Sequence, residues 1–144
     1  MLAIAGIYDY TGLTNIESGA FGVYDAAASL AGDLDFAAGS KLIFSTFTLT
    51  VAGDVTFGSL GVADLLGLNS SVSLGTYTLI DGDVDFTNIS NVGLANAYDL
   101  GGGKLAYFEQ GSLLLNVVPE PSSFVLAGLG LTALLIFRRR RSRR

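Results

Sequence analysis

Cysteine and histidine are both absent from the 144 residues. Without thiol or imidazole, the usual zinc and iron ligands, disulfides, thiol nucleophiles and any histidine-based triad are excluded. Cations are nearly as scarce. Only Lys41 and Lys104 precede Val118, and the other six basic residues are Arg138, Arg139, Arg140, Arg141, Arg143 and Arg144. Of the 13 acidic residues only Glu120 lies beyond Val118, which leaves twelve carboxylates against two lysines. A body of about −10 charge repels nucleic acid and other polyanions, so a nucleic-acid partner is excluded. Proline occurs only at 119 and 121, and everything before that point is free to pair in sheets.

What is present is the composition of a core-forming chain rich in turns. Half of the residues are hydrophobic and 19 are glycine, which rules out a disordered chain and points to an all-β protein. A phrase recurs: Gly32-Asp-Leu-Asp-Phe36, Gly53-Asp-Val-Thr-Phe57 and Gly82-Asp-Val-Asp-Phe86, at intervals of 21 and 29 residues. Gly-Asp suits a turn, and the aliphatic residue and Phe that follow share one strand face. Intervals of this size suit solenoid rungs. Between the copies, Lys41 to Val51 alternates, with Ser45, Phe47, Leu49 and Val51 on one face and Thr46, Thr48 and Thr50 on the other. Tyr77 and Leu79 alternate with Thr76, Thr78 and Ile80. Lys104 to Glu109 and Ser112 to Val117 form a hairpin around Gln110-Gly111. Leu60 to Gly67 and Val92 to Tyr98 predict only short helical turns.

The expected fold is therefore all-β: a short β-solenoid, with a two-sheet β-sandwich as the alternative, followed by one C-terminal membrane helix. Gly101-Gly102-Gly103 is assigned to close stacking of backbone between rungs. The expected domains are an acidic β-rich body over 1–117, a hinge over 118–123, a transmembrane helix over 124–137 and a cytoplasmic arginine-rich tail over 138–144.

Val117-Val-Pro-Glu-Pro-Ser-Ser123 breaks with all that precedes it, because two prolines cannot lie inside a sheet. Pro121 suits a helix start, with Glu120 well placed for the helix dipole. Phe124 to Phe137 carries no charge, and its 14 residues span about 21 Å as a helix, against roughly 30 Å for a bilayer core. Its nine strongly apolar side chains contribute roughly −3 to −5 kcal/mol to insertion. The arginines Arg138, Arg139, Arg140, Arg141, Arg143 and Arg144 predict a cytoplasmic C-terminus by the positive-inside rule, in a single-pass inner-membrane precursor.

This three-part tail resembles the PEP-CTERM sorting signal of bacterial exported proteins. Val118, Pro119, Glu120, Pro121 and Ser122 stand for the name-giving motif, followed by the apolar stretch and the basic end. The resemblance implies an exosortase, a membrane transpeptidase-like protease, as partner, cleavage near Pro-Glu-Pro, and delivery of the β-domain to the cell envelope or surface. Gly58 to Asn116, through GVADLLGLNSS, GTYTLIDG, GLANAYDLGGGK and AYFEQGSLLLNVV, is similar to the region before this tail in proteins with autotransporter-associated β-strand repeats. Those proteins are usually longer and begin with a signal peptide, whereas Met1 to Ile7 is apolar with no basic residue. The body is expected to be the C-terminal part of a longer solenoid.

The functional expectation is an exported structural or adhesive protein of the envelope, a substrate of the exosortase and not itself an enzyme. The alternative is a surface module binding carbohydrate or ice, with extracellular polysaccharide as partner, suggested by the rows Thr46, Thr48, Thr50 and Thr76, Thr78. No cofactor and no metal are expected. Asp81, Asp83 and Asp85 alternate, but Phe86 and Val92 stand where an EF-hand loop needs Gly and Glu.

Overall fold

The recurring phrase marks one strand of a coil that the chain traces repeatedly. The structure, a computed structural model, describes residues 1–142. The first coil carries β1 (Leu2–Ile4), β2 (Ile7–Tyr8) and β3 (Thr14–Ile16), and the second carries β4 (Ala20–Val23), β5 (Ser29–Leu30) and β6 (Leu34–Phe36). In the third coil, β7 (Lys41–Ile43) leads into β8 (Leu49–Phe57), which covers two faces in one strand. The next begins with β9 (Leu65–Leu66) and closes with β10 (Gly75–Val84). Pairing between successive coils is parallel throughout: β1-β4-β7-β9 in one sheet, and β2-β5-β8-β10 with β3-β6-β8 in the other. The body is mostly β, a β-solenoid of about 3 turns with 47% strand. Stacked parallel coils replace the sandwich alternative.

Register explains the phrase. Leu34 sits over Val55, and Val55 over Val84, all buried. Phe36 stacks on Phe57 with ring centroids 4.7 Å apart and planes 10° apart, while Phe21 meets Phe36 edge-on at 5.4 Å. Such contacts add about 0.5–1.5 kcal/mol each beyond area burial. The glycine fills the corner, where successive rungs touch backbone to backbone. A Cβ on Gly32 would lie 2.2 Å from the Gly12 carbonyl oxygen, so no larger residue fits without parting the rungs. Asp33 then accepts a hydrogen bond from the Asp54 amide at 2.9 Å, tying one copy to the next.

The structure also reveals a copy that the phrase conceals. Gly12-Leu-Thr-Asn-Ile16 lies in register beneath Gly32 to Phe36, with Thr14 opposite Leu34 and Ile16 opposite Phe36. Leu13 replaces the Asp and Ile16 the Phe, so only the glycine survives as a signal. The last interval is longer for a local reason. Six positions separate Ile43 from Leu49 and 14 separate Leu66 from Ile80, though both pairs occupy equivalent rung positions. The eight extra residues build the loop after β9 and the first half of β10.

Three expectations are corrected. Lys41 to Val51 is two strands, because the chain turns a corner between Ile43 and Leu49, where the Ser45 hydroxyl accepts from the Phe47 amide at 3.2 Å. Leu79 and Ile80 are both buried, because the register shifts between Thr78 and Ile80 and the bulge turns Ile80 inward. Gly101 to Gly103 do not stack between rungs. They have φ of 79°, 63° and 73° and form the tight turn between β11 (Tyr98–Gly101) and β12 (Lys104–Glu109), a conformation open to glycine. The helical turns are single 3-10 turns, Val62–Asp64 and Leu94–Asn96.

Beyond the coils the sheet continues antiparallel. β13 (Leu113–Pro119) runs between β10 and β12, with β11 at the edge. The β12–β13 pair is the expected hairpin, with Glu109 opposite Leu114. β10 therefore joins two architectures, pairing with β8 through Ile80 to Val84 and with β13 through Gly75 to Ile80. The chain ends in α1 (Pro121–Ser142), 22 residues long.

The membrane-spanning expectation for 124–137 is also corrected. Among the described residues no helix is long and apolar enough to cross a membrane. The uncharged run supplies only 14 of the residues in α1, the remainder being Pro-Ser-Ser at one end and arginines with a serine at the other. A single-pass topology has no support from the helix. Arg143 and Arg144 lie outside the described residues.

Candidate functional site

The candidate site is the junction where the last strand becomes the helix. β13 is held on both sides as far as Val117, which lies opposite Gly75 of β10 and Ala106 of β12. Leu113, Leu115 and Val117 point into the core and are fully or almost fully buried. Asn116, also buried, meets the Thr76 hydroxyl at 2.5 Å and donates from Nδ2 to Glu109 Oε2 at 2.8 Å. A buried amide satisfied on both sides locks the register of three strands at the foot of the tail.

Past Val117 the β10 side ends, yet pairing with β12 continues. Val118 lies opposite Leu105 and Pro119 opposite Lys104, and the Glu120 amide donates to the Gly103 carbonyl at 2.8 Å. Pro121 then opens the helix, where its missing N–H costs nothing. The expected hinge over 118–123 is thus no free linker. Its first residues are strand, its middle is clamped to a glycine turn and its last residues are helix. Pro119 fits because only one edge of its strand is in use at that point. Pro119 and Pro121 are exposed and Glu120 half-buried.

Lys104 braces the clamp. Its ammonium donates to the Ser70 carbonyl at 2.8 Å and the Val72 carbonyl at 2.6 Å, tying the loop after β9 to the start of β12. Replacing it in K104M is expected to remove about 1–2 kcal/mol of local stability, as charge-assisted bonds to a part-exposed group do. Hydrogen exchange at Leu105, Val118 and Glu120 should accelerate severalfold while the core strands stay protected. Unchanged exchange at those amides would show that Lys104 braces nothing.

Along α1, Leu129, Leu131, Leu134, Leu135 and Ile136 are exposed, each more than half. At 100° per residue they point around the whole helix rather than along one face. Arg138 and Arg139 follow and are exposed; Arg140 and Arg141 continue the same helix backbone.

The other candidates are not drawn together in this way. Thr50 stacks on Ser29 and Asp81, Thr76 lies opposite Asn116 and Thr78 opposite Leu114, while Thr46 and Thr48 lie before β8 begins. No flat threonine array results. Thr48 and Thr78 do line a shallow cleft of about 400 Å³ with Asp81, Gln110 and Ser112. Its polar groups already answer one another: Ser112 donates to Asp81 at 2.7 Å and Thr48 to the Thr78 carbonyl at 2.8 Å. Asp85 accepts from the Thr87 hydroxyl at 2.6 Å and amide at 2.9 Å, which holds its carboxyl below the ordinary value. Among the described residues no three carboxylates gather into a group able to hold a metal ion.

An acidic β-solenoid that ends in a Pro-Glu-Pro junction with both prolines exposed, an apolar helix and a basic terminus has the build of an exported protein with a C-terminal sorting tail. Residues 117–141 match the family model of the PEP-CTERM protein-sorting motif. That motif is an exosortase-processed sorting signal and marks a protein bound for the cell envelope or for export. No curated protein and no solved structure matches the chain.

Proposed function

We propose that the chain is a structural or adhesive protein of the cell envelope, whose solenoid is the mature part and whose tail is removed by an exosortase at the strand-to-helix junction. The observation that carries this is the coincidence of the matched motif with the point where β13 loses its second partner strand. The body before that point is closed by its own core, and the helix after it exposes apolar side chains all round. Cutting between them separates a part stable in water from a part that needs an apolar surround. In this reading the chain is the substrate and the exosortase the enzyme. The solenoid supplies a stiff, acidic rod, suited to spacing or surface coating rather than to chemistry, and its relation to autotransporter-associated β-strand repeat proteins belongs to the same proposal.

The test is the mass of the product in cells with and without an exosortase. With the enzyme, the recovered chain should end near Pro119 to Pro121 and lack the helix. An intact C-terminus in both strains would overturn the reading. For carbohydrate recognition, the shallow cleft beside Asp81 offers no aromatic ring for stacking on a sugar.

A further inference from the structure

The pattern Asn-x-Ser/Thr, an acceptor for N-linked sugar in exported chains, occurs twice, at Asn69-Ser70-Ser71 and Asn88-Ile89-Ser90. The structure holds the two in opposite ways. The first lies in the loop after β9, with all three residues exposed. That loop is held in a fixed shape, since Lys104 ties down the Ser70 and Val72 carbonyls and the Val72 amide donates to the Asn69 carbonyl at 3.2 Å. Asn69 Oδ1 accepts from the Ser71 amide at 2.8 Å and from the Ser71 hydroxyl at 2.5 Å, while Nδ2 makes one long bond, to the Gly67 carbonyl at 3.3 Å. Asn88 is built into the coil instead. Its Nδ2 donates to the Phe57 carbonyl at 3.1 Å, and Ile89 is buried in a bridge to Leu60. The Ser90 amide and hydroxyl both donate to the Leu60 carbonyl, at 2.8 and 3.2 Å, and not to Asn88.

We infer that Asn69 accepts an N-linked glycan during export of the body and that Asn88 does not, the donor being a polyprenyl-diphosphate-linked glycan and the catalyst a membrane glycan transferase. A carboxamide nitrogen is a poor nucleophile because its lone pair is delocalised into the carbonyl. Transfer requires the Nδ2 proton to leave as the new bond forms, which places negative charge on Oδ1. At Asn69 two donors from Ser71 already meet that oxygen and stabilise the charge, the arrangement of an oxyanion hole. The Nδ2 proton passes to a base of the transferase, Nδ2 bonds to C1 of the first sugar, and the C1–O bond breaks with its electron pair leaving on the diphosphate. At Asn88 Ser90 supplies neither donor, and freeing Nδ2 would break a bond from rung to rung. The inference needs only that the body is exported, as the matched tail marks it to be. A sugar on this loop adds hydrated bulk to the outside of the rod, remains with the body after the tail is cut, and displaces nothing in the core.

The scarcity of lysine makes the test direct. Trypsin cuts the body only after Lys41 and Lys104, so residues 42–104 form one peptide that holds both asparagines. The full chain is recovered from the cells that export it, and the mass of this peptide is measured and fragmented to assign any adduct. A glycan should be found on Asn69 alone. Asn69→Gln and Ser71→Ala should each lose it, while Ser71→Thr, which keeps the hydroxyl, and Asn88→Gln should retain it. Because Asn69 and Ser71 are exposed, the variants should keep the β circular dichroism of the unsubstituted chain, which separates a lost acceptor from a lost fold. An unmodified 42–104 peptide from the unsubstituted chain, an adduct on Asn88, or an adduct that survives Ser71→Ala would each overturn the inference. Tail processing is read separately, from the C-terminal peptide of the same sample. A trimmed C-terminus on a body without sugar would strike the acceptor and leave the proposed function standing.

Discussion

Replacing Pro119, Glu120 and Pro121 together by alanine is expected to leave the chain unprocessed. Mature product should fall more than about tenfold, the least expected when an enzyme loses the groups its pocket was built to hold. The physical case rests on shape. Proline fixes φ on both sides of Glu120, so the motif offers an extended, preorganised backbone from which Glu120 projects, and alanine restores freedom that binding must then remove. Alanine at 121 also gives the helix a residue able to continue it backward and blurs the strand-to-helix break. The body should not notice. Pro119 and Pro121 are exposed, and β13 keeps both partners as far as Val117. Thermal unfolding of the solenoid should therefore shift by no more than about 2 °C, less than the roughly 3 °C that about 1 kcal/mol gives in a domain of this size. Mass spectrometry of the product and circular dichroism of the body separate the two outcomes. Wild-type processing of the triple variant would remove Pro-Glu-Pro from recognition.

The clamp gives the junction a second property. An extended peptide must enter a protease cleft with its backbone groups free, yet Val118 and Pro119 pair with β12, and the Glu120 amide is bonded to Gly103. Access requires the last residues of β13 to peel from one edge. That edge is the weaker kind, paired on one side, and the strand interior behind it is pinned by the Asn116 network. Peeling should therefore stop near Val117, leaving the solenoid closed after the cut.

How much of this could be read in the chain follows from which forces act locally. The turn-strand phrase was legible because glycine at a crowded corner and an aliphatic-x-aromatic strand are demands made by adjacent residues. Its fourth copy at Gly12 was not, because Ile16 meets the same stacking need as phenylalanine and Thr14 takes the aliphatic position. Alternation runs from Ser45 to Val51, straight across the corner between Ile43 and Leu49, so that corner is invisible to periodicity; β7 instead follows β4 beneath it, with Ala20 opposite Lys41 and Phe21 opposite Leu42. The bulge that turns Ile80 inward arises where β10 changes partners from β13 to β8, a tertiary event with no local signature. The tail was the most legible part, since proline, apolar run and arginines act through backbone and solvent alone. Even there, the pairing of Val118 and Pro119 with β12 escaped detection. Two prolines forbid a sheet interior but not a strand end with one open edge.

Phe36→Ala is expected to cost about 3–5 kcal/mol, the range for emptying a fully buried aromatic site. For a chain of this size that lowers the midpoint of unfolding by roughly 10–15 °C. Phe36 is central to the ladder: it stacks on Phe57, meets Phe21 edge-on and lies over Ile16. Gly32→Ala tests the other half of the rung. It adds a methyl to a buried bend glycine, a change that on backbone entropy alone would stabilise by up to about 1 kcal/mol. At this corner the new carbon meets the Gly12 carbonyl oxygen at 2.2 Å and the Thr11 carbonyl carbon at 2.8 Å, and neither is the movable end of a side chain. The first and second coils must separate, so the expected sign is reversed and the loss is about 2 kcal/mol or more, as overpacking against backbone gives. The two variants differ in where the damage goes. Phe36→Ala should lower protection in all the coils around the cavity, whereas Gly32→Ala should release β1 to β3 first and leave β8, β10 and β13 protected, because in a stacked coil each rung answers only to its neighbours. A stabilised Gly32→Ala, measured by thermal unfolding with hydrogen exchange, would show that the rungs are not in contact at that corner.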